Sequence, residues 1–181
     1  MQHYNKFEEL PSMKKEPRKA SREVDLEDII TNAFLYESNA LLDPLIRGHL
    51  TCDALISEAL VKFYKPTKVW RMSFPKKVQK CEAHGILKEH TGVALNILND
   101  IRNDVAHIFG KTFTPQEIHA FARKLEVAGV EFSEGMGVQS FEYASASYDG
   151  AVGMLAECLW CLGFQVALEI KDSGHGDIFS V

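Results

Sequence analysis

The stretch TGVALNILNDIRNDVAHIFG, residues 91–110, decides the fold. Its first residue, Thr91, is a candidate N-cap, and its last, Gly110, is of the type at which a helix often ends. Between them the apolar residues recur every three or four positions, which places them on one face of an α-helix. They are Val93, Ala94, Ile97, Leu98, Ile101, Val105 and Ala106. This stripe predicts a long helix that other helices must cover.

The rest of the chain predicts further helices and no convincing strand. Start signals, helical spacing and terminal Gly or Pro residues predict four more, over about 26–40, 44–64, 74–84 and 115–128. The start at Thr114-Pro115-Gln116-Glu117 combines a capping box with a proline at the first helical position. Residues 148–170 are apolar on nearly every side, which predicts a long helix buried in the core or against a partner subunit. Six helices make the predicted fold class an all-α bundle.

The domain organisation follows from the same pattern. Residues 1–24 mix charges and prolines and are expected to form a flexible arm, 25–172 a single helical domain, and 173–181 a loose tail. The stretch from 129 to 147 has glycines and alternating apolar residues, so a loop and a short hairpin both fit; we expect a loop.

Composition narrows the class of protein. The 181 residues, 46% hydrophobic and 25% charged, suit one globular domain. No uninterrupted apolar run approaches the roughly 18 residues of a membrane span, so we expect a cytoplasmic protein without a membrane partner. Four scattered cysteines predict free thiols, including the pair Cys158 and Cys161, whose spacing inside an apolar helix favours packing over metal binding. No cofactor or metal is expected.

Charge is unevenly distributed. The net charge is -5, yet the segment 62–80 holds seven basic residues and no acidic one. These candidate RNA-binding residues are Lys62, Lys65, Lys68, Arg71, Lys76, Lys77 and Lys80. Such a segment predicts a positive face that attracts phosphates, although a solvated face beside a turn fits equally well.

Three residues near the end of the 91–110 helix carry the candidate chemistry: Arg102, Asn103 and His107. A guanidinium binds a phosphodiester through two parallel hydrogen bonds, and an imidazole moves a proton to or from a ribose hydroxyl. Asn103 and His107 are four residues apart and share a helix face, whereas Arg102 points about 140° away from His107 at 100° per residue. A purely structural pair that binds the last helix carbonyls is the competing interpretation.

The predicted helix 44–64 holds residues that would reach this site. Arg47 would extend a phosphate site, and Asp53 would orient His107; His49 lies between them. Exposed or ion-paired side chains are the alternative interpretation of all three.

The segment LNDIRNDVAHIFGKTF resembles the Arg-x4-6-His signature of the HEPN superfamily, in which a polar residue often follows the arginine. The resemblance extends upstream to IRGHLTCDALISEAL and to the connector K-x-x-x-C-E-A-H-G-I-L, and it covers about 28–125. It implies a helical bundle that forms a homodimer, with two motifs facing one cleft, and that in many members cuts RNA without metal. In that arrangement Arg102 would hold the scissile phosphate, His107 would be the acid/base, and Asn103 would orient one of them.

The resemblance also implies a biological setting, a toxin or antiviral defence effector with an antitoxin or other regulatory protein as a possible partner. Where some members carry a modified tyrosine two residues after the histidine, this chain has Phe109, so that mode of silencing is not expected. The motif I-R-N-D-V-A-H is similar to the mannitol-operon repressor family as well. That similarity implies a helical regulator without catalysis, and the motif alone separates the two readings poorly.

Overall fold

The computed structural model describes residues 41–107 and 113–175, and within these ranges the protein is all-α with no strand. In this described part of the chain seven helices follow one another, and a π-helical turn at Lys171–His175 continues the last one. They are α1 (Leu42–Leu60), α2 (Pro66–Val69), α3 (Phe74–Ala83), α4 (Glu89–His107), α5 (Pro115–Val127), α6 (Phe141–Ser147) and α7 (Gly150–Ile170). The predicted helix 26–40, the arm 1–24 and the end of the tail lie outside the described residues.

Helices α1 and α7 form the central pair of the bundle and run parallel. Gly48 lies against Leu159, where an added Cβ would come within 2.6 Å of Leu159 Cδ2. Beyond the C-terminal ends of the two helices, Phe63 and His175 meet at 5.3 Å between ring centroids. Helices α3, α4 and α5 pack around this pair. The site-bearing helix α4 therefore lies directly against α1.

A continuous apolar core joins the helices. Its largest fully buried side chains come from α1, α4, α5 and α7 and from the connections before α4 and before α6. They are Leu45, Ile56, Leu60, Ile86, Leu95, Leu98, Ile118, Leu125, Met136, Met154, Leu155 and Leu162. Burial of each leucine or isoleucine contributes about 1.5–3 kcal/mol. The predicted stripe on α4 supplies Leu98 and Ala94 to the core, with Ile97, Ile101 and Val105 partly buried against it.

The structure differs from the sequence prediction between 129 and 147, where part of the expected loop is helix α6. The Ser140 hydroxyl accepts a hydrogen bond from the backbone N–H of Tyr143, which begins this helix. Seven residues are too few to display a helical period, so alternating aromatic residues hid the element. Likewise the predicted helix 44–64 ends at Leu60, and Pro66 begins the separate short helix α2.

Helix α4 begins at Glu89, two residues before the predicted N-cap Thr91, and the side chain that caps it comes from another helix. The carboxylate of Glu169, on the last turn of α7, accepts hydrogen bonds from the backbone N–H of Lys88 at 2.9 Å and from the Thr91 hydroxyl at 2.7 Å. Gln165 donates to the same hydroxyl at 2.7 Å. Thr91 is thus a buried member of a polar network, not the N-cap residue that its position in the sequence predicted.

Helix α7 has two apolar faces. One lies in the core, and the other leaves four large side chains exposed: Val152, Trp160, Phe164 and Leu168. Glu157 and Gln165 interrupt the run of apolar residues, yet the segment Gly150–His175 is long and apolar enough to cross a membrane by length and composition, with a mean hydropathy of 1.7. Core helices of soluble proteins meet the same two criteria. Among the described residues, this is the one helix that meets them.

Candidate functional site

The candidate site lies where the first half of α1 packs against the second half of α4. His49 Nε2 donates a hydrogen bond to Asn99 Oδ1 at 3.3 Å. The imidazole is buried, and its other contact is the Phe74 ring, 4.3 Å away between centroids. This pair ties α1 to α4 one turn before Arg102.

The electrostatics of His49 place Arg102 nearby. Burial lowers the pKa of His49 below its usual 6.5, because a charged imidazole loses its hydration there. The hydrogen bond to Asn99 opposes this shift, and the positive charge of Arg102 lowers the pKa further. His49 is therefore neutral at pH 7, which leaves the arginine without a second positive charge beside it.

A hydrogen bond joins Arg102 and Asn103 on α4. The Arg102 guanidinium donates to Asn103 Oδ1 at 3.2 Å, and both residues are partly exposed at the surface of α4. His107 is the last described residue of α4, and its side chain lies outside the described part of the structure, so the predicted meeting of Arg102 and His107 stays a prediction. A half-exposed arginine held by a neighbouring amide keeps donors free for a phosphate.

Asp53 is engaged with a different partner from the predicted one. Both of its carboxylate oxygens accept from the Lys77 ammonium at 2.8 Å, in an ion pair that joins α1 to α3. The Lys77 side chain is only 6% exposed. A buried ion pair is costly to break, so Lys77 is a cross-link of the bundle rather than a surface charge. Arg47, one turn before His49, is exposed.

The other basic residues of 62–80 lie on the outside of the bundle. Lys62, Lys65, Lys68, Arg71 and Lys76 are exposed, and Lys80 is partly so. Lys68 and Lys80 both approach the ring of Tyr64, with Nζ 5.0 Å and 5.9 Å from its centroid. Lys76 donates to Gln79 at 2.8 Å.

Sequence reasoning missed the aromatic residues among these lysines. Phe63 stacks on His84 at 4.1 Å with 22° between the rings, and the Tyr64 hydroxyl is joined to His84 Nε2 by a 2.9 Å hydrogen bond. The signal that was present is the pair Phe63-Tyr64 inside a basic segment. His84 comes from the end of α3, and only the fold brings it to this pair.

A groove between α4 and α5 is a concave feature of the described surface. One end, of about 240 Å³, is lined partly by acidic residues, among them Asp100, Asp104 and Glu117. The adjoining end, of about 500 Å³, is apolar and includes the exposed Val93 and Val127. Arg102 does not line either end; at 100° per residue it lies about 160° from Asp100 around α4. Because Arg102 is absent from the lining of both ends, this groove is not part of the Arg102 site.

The four cysteines are free thiols, as expected. Burial raises the pKa of Cys52 and of Cys81 to about 12, and the pKa of Cys158 is raised as well. The pKa of Cys161 is raised to about 12 by burial and by Glu157. Since the thiolate is the reactive form, these cysteines make poor nucleophiles.

Comparison with known protein families, curated proteins and solved structures gives no match to this chain.

Proposed function

We propose that the protein is a metal-independent endoribonuclease of the HEPN type that acts as a homodimer. The observation that carries the proposal is the Arg102–Asn103 pair, partly exposed on α4 five and four residues before His107. The acid-free basic segment 62–80 supports the same substrate, since it supplies exposed cations outside the bundle. A toxin or phage-defence role, with an antitoxin or another regulator as partner, belongs to the same proposal.

The chemistry needs only these side chains and an RNA strand. The guanidinium of Arg102 holds two non-bridging oxygens of the scissile phosphate and offsets the charge that develops there. His107 removes the proton of the ribose 2′-hydroxyl as that oxygen attacks phosphorus. The bond from phosphorus to the 5′-oxygen breaks, and the leaving oxygen takes up a proton from the His107 imidazolium. The products are a 2′,3′-cyclic phosphate and a 5′-hydroxyl.

Within this mechanism Asn103 is a positioning residue. Its side-chain oxygen accepts from Arg102, so it holds one edge of the guanidinium and leaves the remaining donors to the phosphate. His49 supports the arrangement from α1, because a neutral, buried imidazole fixes Asn99 without adding charge beside Arg102.

The homodimer is proposed on the exposed face of α7. Trp160 is 71% exposed and lies parallel to Phe164, with ring centroids 6.5 Å apart. Aromatic side chains of this kind are enriched at subunit interfaces, and large apolar surfaces are uncommon on monomers. A second copy of this chain would bury them.

The decisive experiment is cleavage of a complex RNA pool in EDTA by the parent protein and by Arg102→Ala and His107→Ala. General acid–base catalysis contributes about 100- to 10,000-fold, so His107→Ala should lose activity on that scale. Arg123→Ala, on the exposed side of α5, is a matched control that should cleave like the parent. Cleavage by His107→Ala at the parental rate would refute the assignment.

A second candidate, the non-catalytic regulator similar to the mannitol-operon repressor family, is favoured by the α4–α5 groove. Its apolar end, with the exposed Val93 and Val127, suits an amphipathic helix of a partner protein. A folded parent protein that leaves every RNA in the pool intact would favour this candidate over the ribonuclease.

A further inference from the structure

Four aromatic side chains form a surface cluster beyond the C-terminal end of α1. Phe63, Tyr64, His84 and His175 make up this Phe63 cluster, to which the residues just after α1, α3 and α7 each contribute. His84 contacts both neighbours: it stacks on Phe63 and meets Tyr64 edge-on at 5.5 Å. Three chain segments thus hold the rings in defined relative positions.

The cluster is ordered but not buried. Phe63 remains 42% exposed although two other rings lie within 5.3 Å of it, and His84 is exposed as well. Rings that served only to close the end of the bundle would bury their faces. An aromatic surface that is held in place while it stays in contact with water is suited to stacking against another flat ring.

Positive charge lies beside Tyr64 in the cluster. The Lys68 and Lys80 ammonium groups lie near the Tyr64 ring, and Lys65, the residue before α2, is exposed. Among the described residues, no carboxylate forms an ion pair with any of these three lysines. Unpaired cations beside a stacking surface match the two parts of a nucleotide, its phosphate and its base.

We propose that the Phe63 cluster binds single-stranded RNA, with one unpaired base stacked on Phe63 and the adjoining phosphate held by Lys68 and Lys80. The choice of RNA rests on the proposed function, but the stacking site itself needs no cleavage. Duplexes hide the faces of their bases, so the site selects unpaired strands. It lies about 21 Å along α1 from His49, at 1.5 Å per residue, and is therefore separate from the Arg102 site.

The test is fluorescence anisotropy of the full chain with a 2′-O-methyl oligonucleotide, which the proposed 2′-hydroxyl mechanism does not cut. Phe63→Ala should weaken binding about 5- to 150-fold, because stacking of one base is worth about 1–3 kcal/mol. Phe63→Trp should bind at least as tightly as the parent, because the larger ring keeps the stacking face. Tyr143→Ala is the matched control, since Tyr143 is an exposed aromatic residue in a region without basic residues.

Charge is tested separately. Lys68→Gln should lower the slope of log K against log salt by about 0.7, the value for one phosphate contact on a single strand. Circular dichroism melts establish that each variant is folded. Equal affinity of the parent for single strands and duplexes, or Phe63→Ala bound as tightly as the parent, would overturn the proposal. A protein that binds single strands through Phe63 but cuts no RNA would refute the proposed ribonuclease and leave the stacking site standing.

Discussion

Replacement of Glu169 by alanine should unfold the start of the site-bearing helix, because this carboxylate caps α4 from α7. The side chain is 7% exposed, accepts from the Lys88 N–H and the Thr91 hydroxyl, and lies 3.6 Å from His90 Nε2. Each buried donor left without an acceptor costs about 1–3 kcal/mol, so the alanine variant should lose roughly 2–6 kcal/mol. Glu169→Gln keeps the shape and one acceptor and should lose roughly half as much. The negative charge at the helix N-terminus adds to the difference.

Chemical denaturation of the full chain measures these losses, and Tm should fall by about 2–4 °C per kcal/mol in a protein of this size. Asp172→Asn is the matched control, because it removes a carboxylate that is exposed, three residues further along. In a double-mutant cycle, Thr91→Val combined with Glu169→Ala should show a coupling of at least about 0.5 kcal/mol. Losses below about 0.5 kcal/mol for both Glu169 variants would mean that the carboxylate does not cap α4.

Three further outcomes are expected. Because burial lowers the pKa of His49, the unfolded chain binds a proton below pH 6.5 that the native state resists. The free energy of unfolding should therefore fall by up to about 1.4 kcal/mol for each unit that the pH drops below 6.5. In the same denaturation experiments, the free energy of unfolding of His49→Gln should depend less on pH. Gly153→Ala should destabilise the protein by about 1–3 kcal/mol, because the new Cβ would overlap the backbone carbonyl oxygen of Tyr148. Gly163→Ala is the control in the same helix: its Cβ would meet nothing within 4 Å, and it should stabilise the protein by about 0.5–1 kcal/mol. Thermal melts measure both changes. Trp160→Glu should convert the proposed dimer to a monomer, as measured by sedimentation. Val127→Glu introduces the same charge at a side chain that is 90% exposed, and it should leave the dimer intact. A parent protein that sediments as a monomer would contradict the proposed homodimer.

Local sequence signals predicted most of the described helices. The capping box at Thr114 and Glu117 is present with both of its hydrogen bonds, and α5 covers 115–127 against the predicted 115–128. Such signals succeed because their partners lie within four residues of each other. Prediction was wrong where the partner is distant: the cap of α4 comes from Glu169, which lies 81 residues after Lys88.

The candidate site shows the same division between near and distant partners. Arg102 and Asn103 are neighbours in the chain, so their hydrogen bond does not depend on how other helices pack. His49 contacts α4 through Asn99, as expected for a residue of α1 that reaches this helix. Asp53 pairs instead with Lys77, and this partner depends on how α3 packs against α1. Charge counting could not distinguish this buried lysine from its exposed neighbours, because composition carries no information about which side of a helix faces the core.

Helix α1 joins the two proposed RNA contacts, and its rigidity determines how they should combine. His49 stands beside Arg102 at one end, and Phe63 follows the other end about 21 Å away. Groups this far apart without shared partners act additively within about 0.3–0.5 kcal/mol. Loss of Phe63 should therefore weaken binding of RNA without changing the rate of cleavage once RNA is bound. Loss of Arg102 should do mainly the reverse, because its contact strengthens as charge develops on the phosphate.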